Sequence, residues 1–153
     1  MVFQTIVEQR RNDEHRNQYD PVTGLFHQTE YKSLLFQRDY TGIYGWLLGY
    51  GSPPEHHLDV FTLTDTDYEL GAIIKVKVIG VFIRNDGDNK FIAVESTREE
   101  DDFADLPKED QRMLFNVYPN IRVGEGWFGQ LRAMQLIEES RLHKRTDKKK
   151  EES

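Results

Sequence analysis

The chain has 153 residues, enough for one domain that buries a full core without covalent staples. With 27 acids against 20 lysines and arginines its net charge is −7, which argues against binding nucleic acid by phosphate neutralisation. It has no cysteine, which excludes disulfides and thiolate metal sites, and no apolar run reaches the roughly 18 residues that would span a bilayer. The opening MVFQTIVEQRR lacks the basic-then-apolar order of a signal peptide, so a cytoplasmic, soluble protein with no membrane partner is expected.

Strand signals fill the first two thirds. VFQTIVE (2–8) alternates loosely between apolar and polar. YDPVTGLF (19–26) reads as two short extended pieces around a turn that Asp20-Pro21 opens and Gly24 closes. TGIYGWLLGYG (41–51) is rich in aromatics and glycine, while HLDVFTLT (57–64) and AIIKVKVIGVFIR (72–84) are rich in β-branched residues. NDGD (85–88) is a turn signal, and KFIAVE (90–95) is its returning strand. Five or six strands at this spacing predict an α+β fold: a small closed, OB-like β-barrel with two C-terminal helices packed outside. The first helix is expected over KEDQRMLFNVY (108–118), with Asp105 as N-cap, Pro107 in the first turn and a stop at Pro119. The second is expected after Gly126-Trp127, with Leu131, Met134, Ile137 and Leu142 on one stripe. One domain over 1–143 is expected, followed by a basic, disordered tail over 144–153.

Acids gather where strands end. Glu8 closes the first strand, Asp59 starts a central one, and Asp86 and Asp88 sit in the hairpin before Lys90. Acids at strand ends can converge on one barrel mouth, where a hard cation such as Mg²⁺ relieves their repulsion. The plainer alternative stays open, because Asp-Gly-Asp suits a hairpin turn in any case. Arg16, Lys32, Lys90, Tyr44 and Tyr118 are the candidate anion binders, since cations beside acids suit a site that holds metal and phosphate together. GSPPEHHLDVFTL (51–63) places two histidines just ahead of Asp59. They are either imidazole ligands or ordinary loop residues.

These pieces, in this order, resemble a soluble inorganic pyrophosphatase of the β-barrel family over nearly the full chain. VEQRRNDEHRNQYDPVTGLF (7–26) is similar to the family's opening, and ELGAIIKVKVIGVF (69–82) to its leucine-glycine and valine-glycine-valine strands. DNKFIAV (88–94) resembles its aspartate-x-lysine segment, LFNVY (114–118) the end of its first helix, and EGW (125–127) the start of its last.

The resemblance implies Mg²⁺-dependent hydrolysis of pyrophosphate to two phosphates at the barrel mouth, and the homo-oligomers common in the family. By position it makes Glu8, Asp59, Asp86 and Asp88 metal ligands, and Lys90, Tyr44, Tyr118, Arg16 and Lys32 phosphate contacts, with Tyr44 also counted among the catalytic groups. The family's aspartate-x-aspartate-proline-x-aspartate-valine signature reads here Pro54-Glu55-His56-His57-Leu58-Asp59-Val60, so two of its three acids are missing. Gln18 replaces a family glutamate and Pro119 a lysine. His56 falls on the lost base position; it and Glu55 are the candidate catalytic replacements, and an imidazole there would favour Mn²⁺, Zn²⁺ or Co²⁺. Weak or altered hydrolysis is therefore expected. The alternatives are a degenerate relative that binds a phosphorylated ligand and an assembly subunit.

Overall fold

The computed structural model describes residues 1–52 and 56–152, with residues 51, 52, 56 and 142–152 described by backbone alone. The strands are β1 (Phe3–Gln9), β2 (His15–Asp20), β3 (Leu25–Lys32), β4 (Ile43–Ser52), β5 (His56–Leu63), β6 (Ile73–Ile83), β7 (Lys90–Glu95) and β8 (Gly126–Gly129). The helices are α1 (Leu34–Gln37), α2 (Lys108–Val117) and α3 (Gln130–Glu152).

Five strands close a barrel in the order β1-β4-β5-β7-β6, with β6 pairing back to β1. β8 adds a sixth strand outside, along β6. β2 and β3 form a separate hairpin, with Gly24 at φ +71° in the turn. The expected α+β barrel is therefore present, closed by five strands.

Burial follows the sequence pattern. β1 alternates buried and more exposed positions, as a strand with one core face must. β7 is buried along almost its whole length because it lies between two apolar clusters. The first cluster draws on all five barrel strands, including Val7, Leu47, Val60, Val76 and Phe91, and on Ala133 and Ile137 of α3. The second packs Phe61, Ile79, Ile92 and Val94 against Leu114 and Val117 of α2.

Two expectations need correction. Asp105 does not cap α2; Pro107 stands at that position, and Asp105 instead completes the cap of a short 3₁₀ turn (Phe103–Asp105) begun by Asp102. α3 follows Gly126-Trp127 as expected, starting at Gln130 after the short strand β8 that contains that pair. Of the expected stripe, Met134 and Ile137 pack on the barrel core beside Ala133, but Leu131 is 72% exposed. Leu142 lies outside the residues whose side chains are described. Among the described residues no helix is long and apolar enough to cross a membrane.

Candidate functional site

Strand register assembles the site. In the parallel pair of β5 and β7, Asp59 lies opposite Lys90; across β4 and β5, Tyr44 lies opposite Phe61. The pairing of β1 with β4 slips between Val7 and Gln9, which leaves Glu8 in a bulge. A bulge re-aims the side chain it carries, and this one turns Glu8 to the same end of the barrel as Tyr44. The close approach that shapes this corner needs Gly45, because a Cβ there would lie 1.7 Å from the Ile6 carbonyl oxygen.

The centre is a buried charge cluster. Lys90 Nζ lies 2.5 Å from Asp59 Oδ2 and 3.1 Å from Asp88 Oδ2, and donates to the Tyr44 hydroxyl at 3.3 Å. His57 Nε2 lies 2.7 Å from Asp59 Oδ1, within ion-pair range although its N–H is not aligned on the oxygen for a hydrogen bond. Its ring also packs on Trp46, with centroids 5.4 Å apart. Burial works to raise the Asp59 pKa, but His57 and Lys90 outweigh it and hold the carboxylate at about 2. The proximity of Asp59 raises the pKa of His57. Burial alone would lower Lys90, yet the charge of Asp59 leaves it raised. Glu8 has no such partner, so burial, and then the charge of Asp59, push it up to about 7.

These residues open onto a cavity of about 700 Å³. Of the residues expected from sequence, Glu8, Arg16, Tyr44, Asp86, Lys90 and Tyr118 line it. Asp59 and Asp88 reach it through Lys90. Lys32, exposed at the end of β3 opposite His15, does not line it. Glu55 and the side chain of His56 lie outside the described residues.

Sequence reading missed Arg38, Arg84 and Arg122, and left His57 open between an imidazole ligand and a loop residue. The three arginines line the cavity. Arg84 lies 5.6 Å from the centre of the Tyr118 ring and pairs with Asp86 at 3.5 Å. Arg38 donates to the Val117 carbonyl. No local signal marks Arg38 or Arg122, which sit in a helix end and a loop. His57 is in β5 rather than a loop, two residues before Asp59, and alternate strand residues share a face.

The carboxylates do not form a metal cage. Among the described residues no three His, Asp or Glu side chains come together so as to hold an ion. Asp59 is already paired with the Lys90 ammonium and lies against the His57 ring, and Asp86 and Asp88 pair with Arg84 and Lys90. As arranged, the residues present do not fit a divalent ion held by the protein alone. What they do offer is a cation-rich cup with two tyrosines, suited to a phosphate anion.

The inorganic pyrophosphatase family profile matches residues 5–146. Among solved structures, the chain is similar to an inorganic pyrophosphatase from Neisseria gonorrhoeae, with a TM-score of 0.69 and 20% identity over 91% of this chain and 88% of that one. It is similar to the inorganic pyrophosphatase of Coxiella burnetii, with a TM-score of 0.68 and 19% identity over 93% and 94% of the two chains. The type I inorganic pyrophosphatase of P falciparum gives a TM-score of 0.70 and 16% identity over 97% of this chain and 61% of that one. No curated protein matches the chain significantly.

Proposed function

Because the chain belongs to the inorganic pyrophosphatase family, we propose that it takes pyrophosphate at the barrel mouth and hydrolyses it slowly to two phosphates. The observation that carries this reading is the meeting of Lys90, Tyr44, Tyr118 and Arg16, from four separate parts of the chain, around one cavity. Lys90 and Arg16 supply charge to the phosphates, and the tyrosine hydroxyls supply directed donors. Catalysis of this kind is mostly positioning and electrostatics. His56 takes the role of proton acceptor for the attacking water, with Glu55 as the alternative. Both assignments rest on sequence position.

The family is generally metal-dependent, whereas this chain has committed Asp59 to Lys90 and His57. The reaction is slow for that reason, and because two signature acids are absent. We take residues 1–143 as the functional unit, cytoplasmic and homo-oligomeric as is common in the family.

The test is phosphate release from pyrophosphate with Mg²⁺, then with Mn²⁺, Zn²⁺ and Co²⁺, beside Asp59→Asn. Turnover that the variant loses supports the reading, and equal rates in the two proteins contradict it. His56→Gln should lower kcat by roughly 10²–10⁴-fold if His56 is the base.

A further inference from the structure

Three arginines at the cavity lack acidic partners. Arg16, Arg38 and Arg122 line it, and none has a carboxylate within ion-pair distance among the described residues. Glu8, Asp86 and Glu125 line the same cavity but none of them pairs with these three arginines, so an added anion that reaches them finds guanidinium groups free to bind it. An acidic protein gains nothing for solubility by placing them there. Arg38 also donates to the Val117 carbonyl at the end of α2.

The cavity is also larger and more apolar than pyrophosphate requires. About 700 Å³ falls in the range of roughly 300–1,000 Å³ that encloses a drug-sized organic ligand. Pyrophosphate has nine non-hydrogen atoms and no apolar surface. Yet Leu34, Leu35 and Pro119 form part of the wall, and Leu34 stays 48% exposed.

We propose that this cavity accepts a diphosphate esterified to an organic group, with its phosphates on Arg16, Arg38 and Arg122 and its organic end on the wall of Leu34, Leu35 and Pro119. The proposal rests on the reading of the cavity as a phosphoanhydride site and adds the organic substituent. Guanidinium forks take phosphate oxygens two at a time, so the arginines bind the diphosphate directly, without a bridging metal.

Calorimetric titration in EDTA tests it, with ADP, isopentenyl diphosphate, pyrophosphate and inorganic phosphate as probes. At least one of the two esters should bind at least tenfold more tightly than pyrophosphate. Preference for ADP would identify a nucleoside substituent, and preference for isopentenyl diphosphate an aliphatic one. Arg38→Gln and Arg122→Gln should each weaken the favoured ester at least tenfold, while Arg132→Gln, on the outside of α3, binds it as the wild type does. Leu34→Ser should narrow the gap between the ester and pyrophosphate. Thermal melts of the same variants separate a lost contact from a lost fold. Pyrophosphate binding as tightly as both esters would overturn the proposal while leaving the phosphoanhydride site standing. So would ester binding that appears only with Mg²⁺, or that ignores Arg122→Gln. No binding of any of the four probes, with or without Mg²⁺, would overturn both.

Discussion

Lys90 is buried against Asp59, and each neutralises the other inside the barrel wall. Removing one partner strands a buried charge. Lys90→Met should therefore cost roughly 3–5 kcal/mol in urea unfolding. The double variant Lys90→Met with Asp59→Leu should recover most of that loss, because neither the buried amine nor the buried carboxylate is then left without the other. If the double variant were as unstable as the sum of the singles, the pairing would be wrong.

Glu8 makes the second prediction at this scale. Its folded pKa of about 7 lies above its ordinary value of 4.5. The stability it contributes is thus fully present below pH 4.5 and lost as the pH rises through 7, by about 3 kcal/mol at most. Glu8→Gln should be the more stable protein at pH 8 and should flatten the fall between those limits. Parallel stability curves for the two proteins would contradict the burial of this carboxyl. At residue level the sequence marked the acids, Lys90 and the tyrosines. The pairing of Asp59 with Lys90 was hidden, because it depends on the register of two strands some thirty positions apart.

Strands and turns were legible where the local pattern is strong. β7 occupies the residues its β-branched run marked, and Gly24 closes the hairpin as its position required. β8 was missed because four residues, two of them glycine, carry no period and are extended only by pairing with β6. The stripe of α3 was read in part: Met134 and Ile137 pack on the barrel core as expected, but Leu131 in the first turn points to solvent and Ala133 takes a core position instead. Two substitutions test the packing. Gly45→Ala drives a methyl group into the Ile6 carbonyl oxygen, and should cost at least about 3 kcal/mol as β1 is forced away from β4. Ile137→Ala, in the contact of α3 with the barrel core, should cost about 2–5 kcal/mol. A Gly45→Ala melting point within a few degrees of the wild type would mean that β1 and β4 are not so close.

Over the whole molecule, a net charge of −7 surrounds a cavity lined by Arg16, Arg38, Arg84, Lys90 and Arg122. The sign reverses where a ligand would sit, which focuses anions at the barrel mouth. The barrel architecture was readable because it follows from strand count and alternation. The arginine lining was not, since Arg38 and Arg122 come from segments without periodicity that only the closed fold brings together. The central claim is that this mouth is a phosphoanhydride site. The direct measurement is unfolding free energy with and without pyrophosphate, for the wild type and for Arg16→Gln, whose exposed side chain can change without disturbing the core. The account predicts that saturating pyrophosphate stabilises the wild type, by about 2.7 kcal/mol at a hundredfold excess over Kd, and that Arg16→Gln loses most of that gain. Equal stabilisation of both proteins, or none in either, would contradict it.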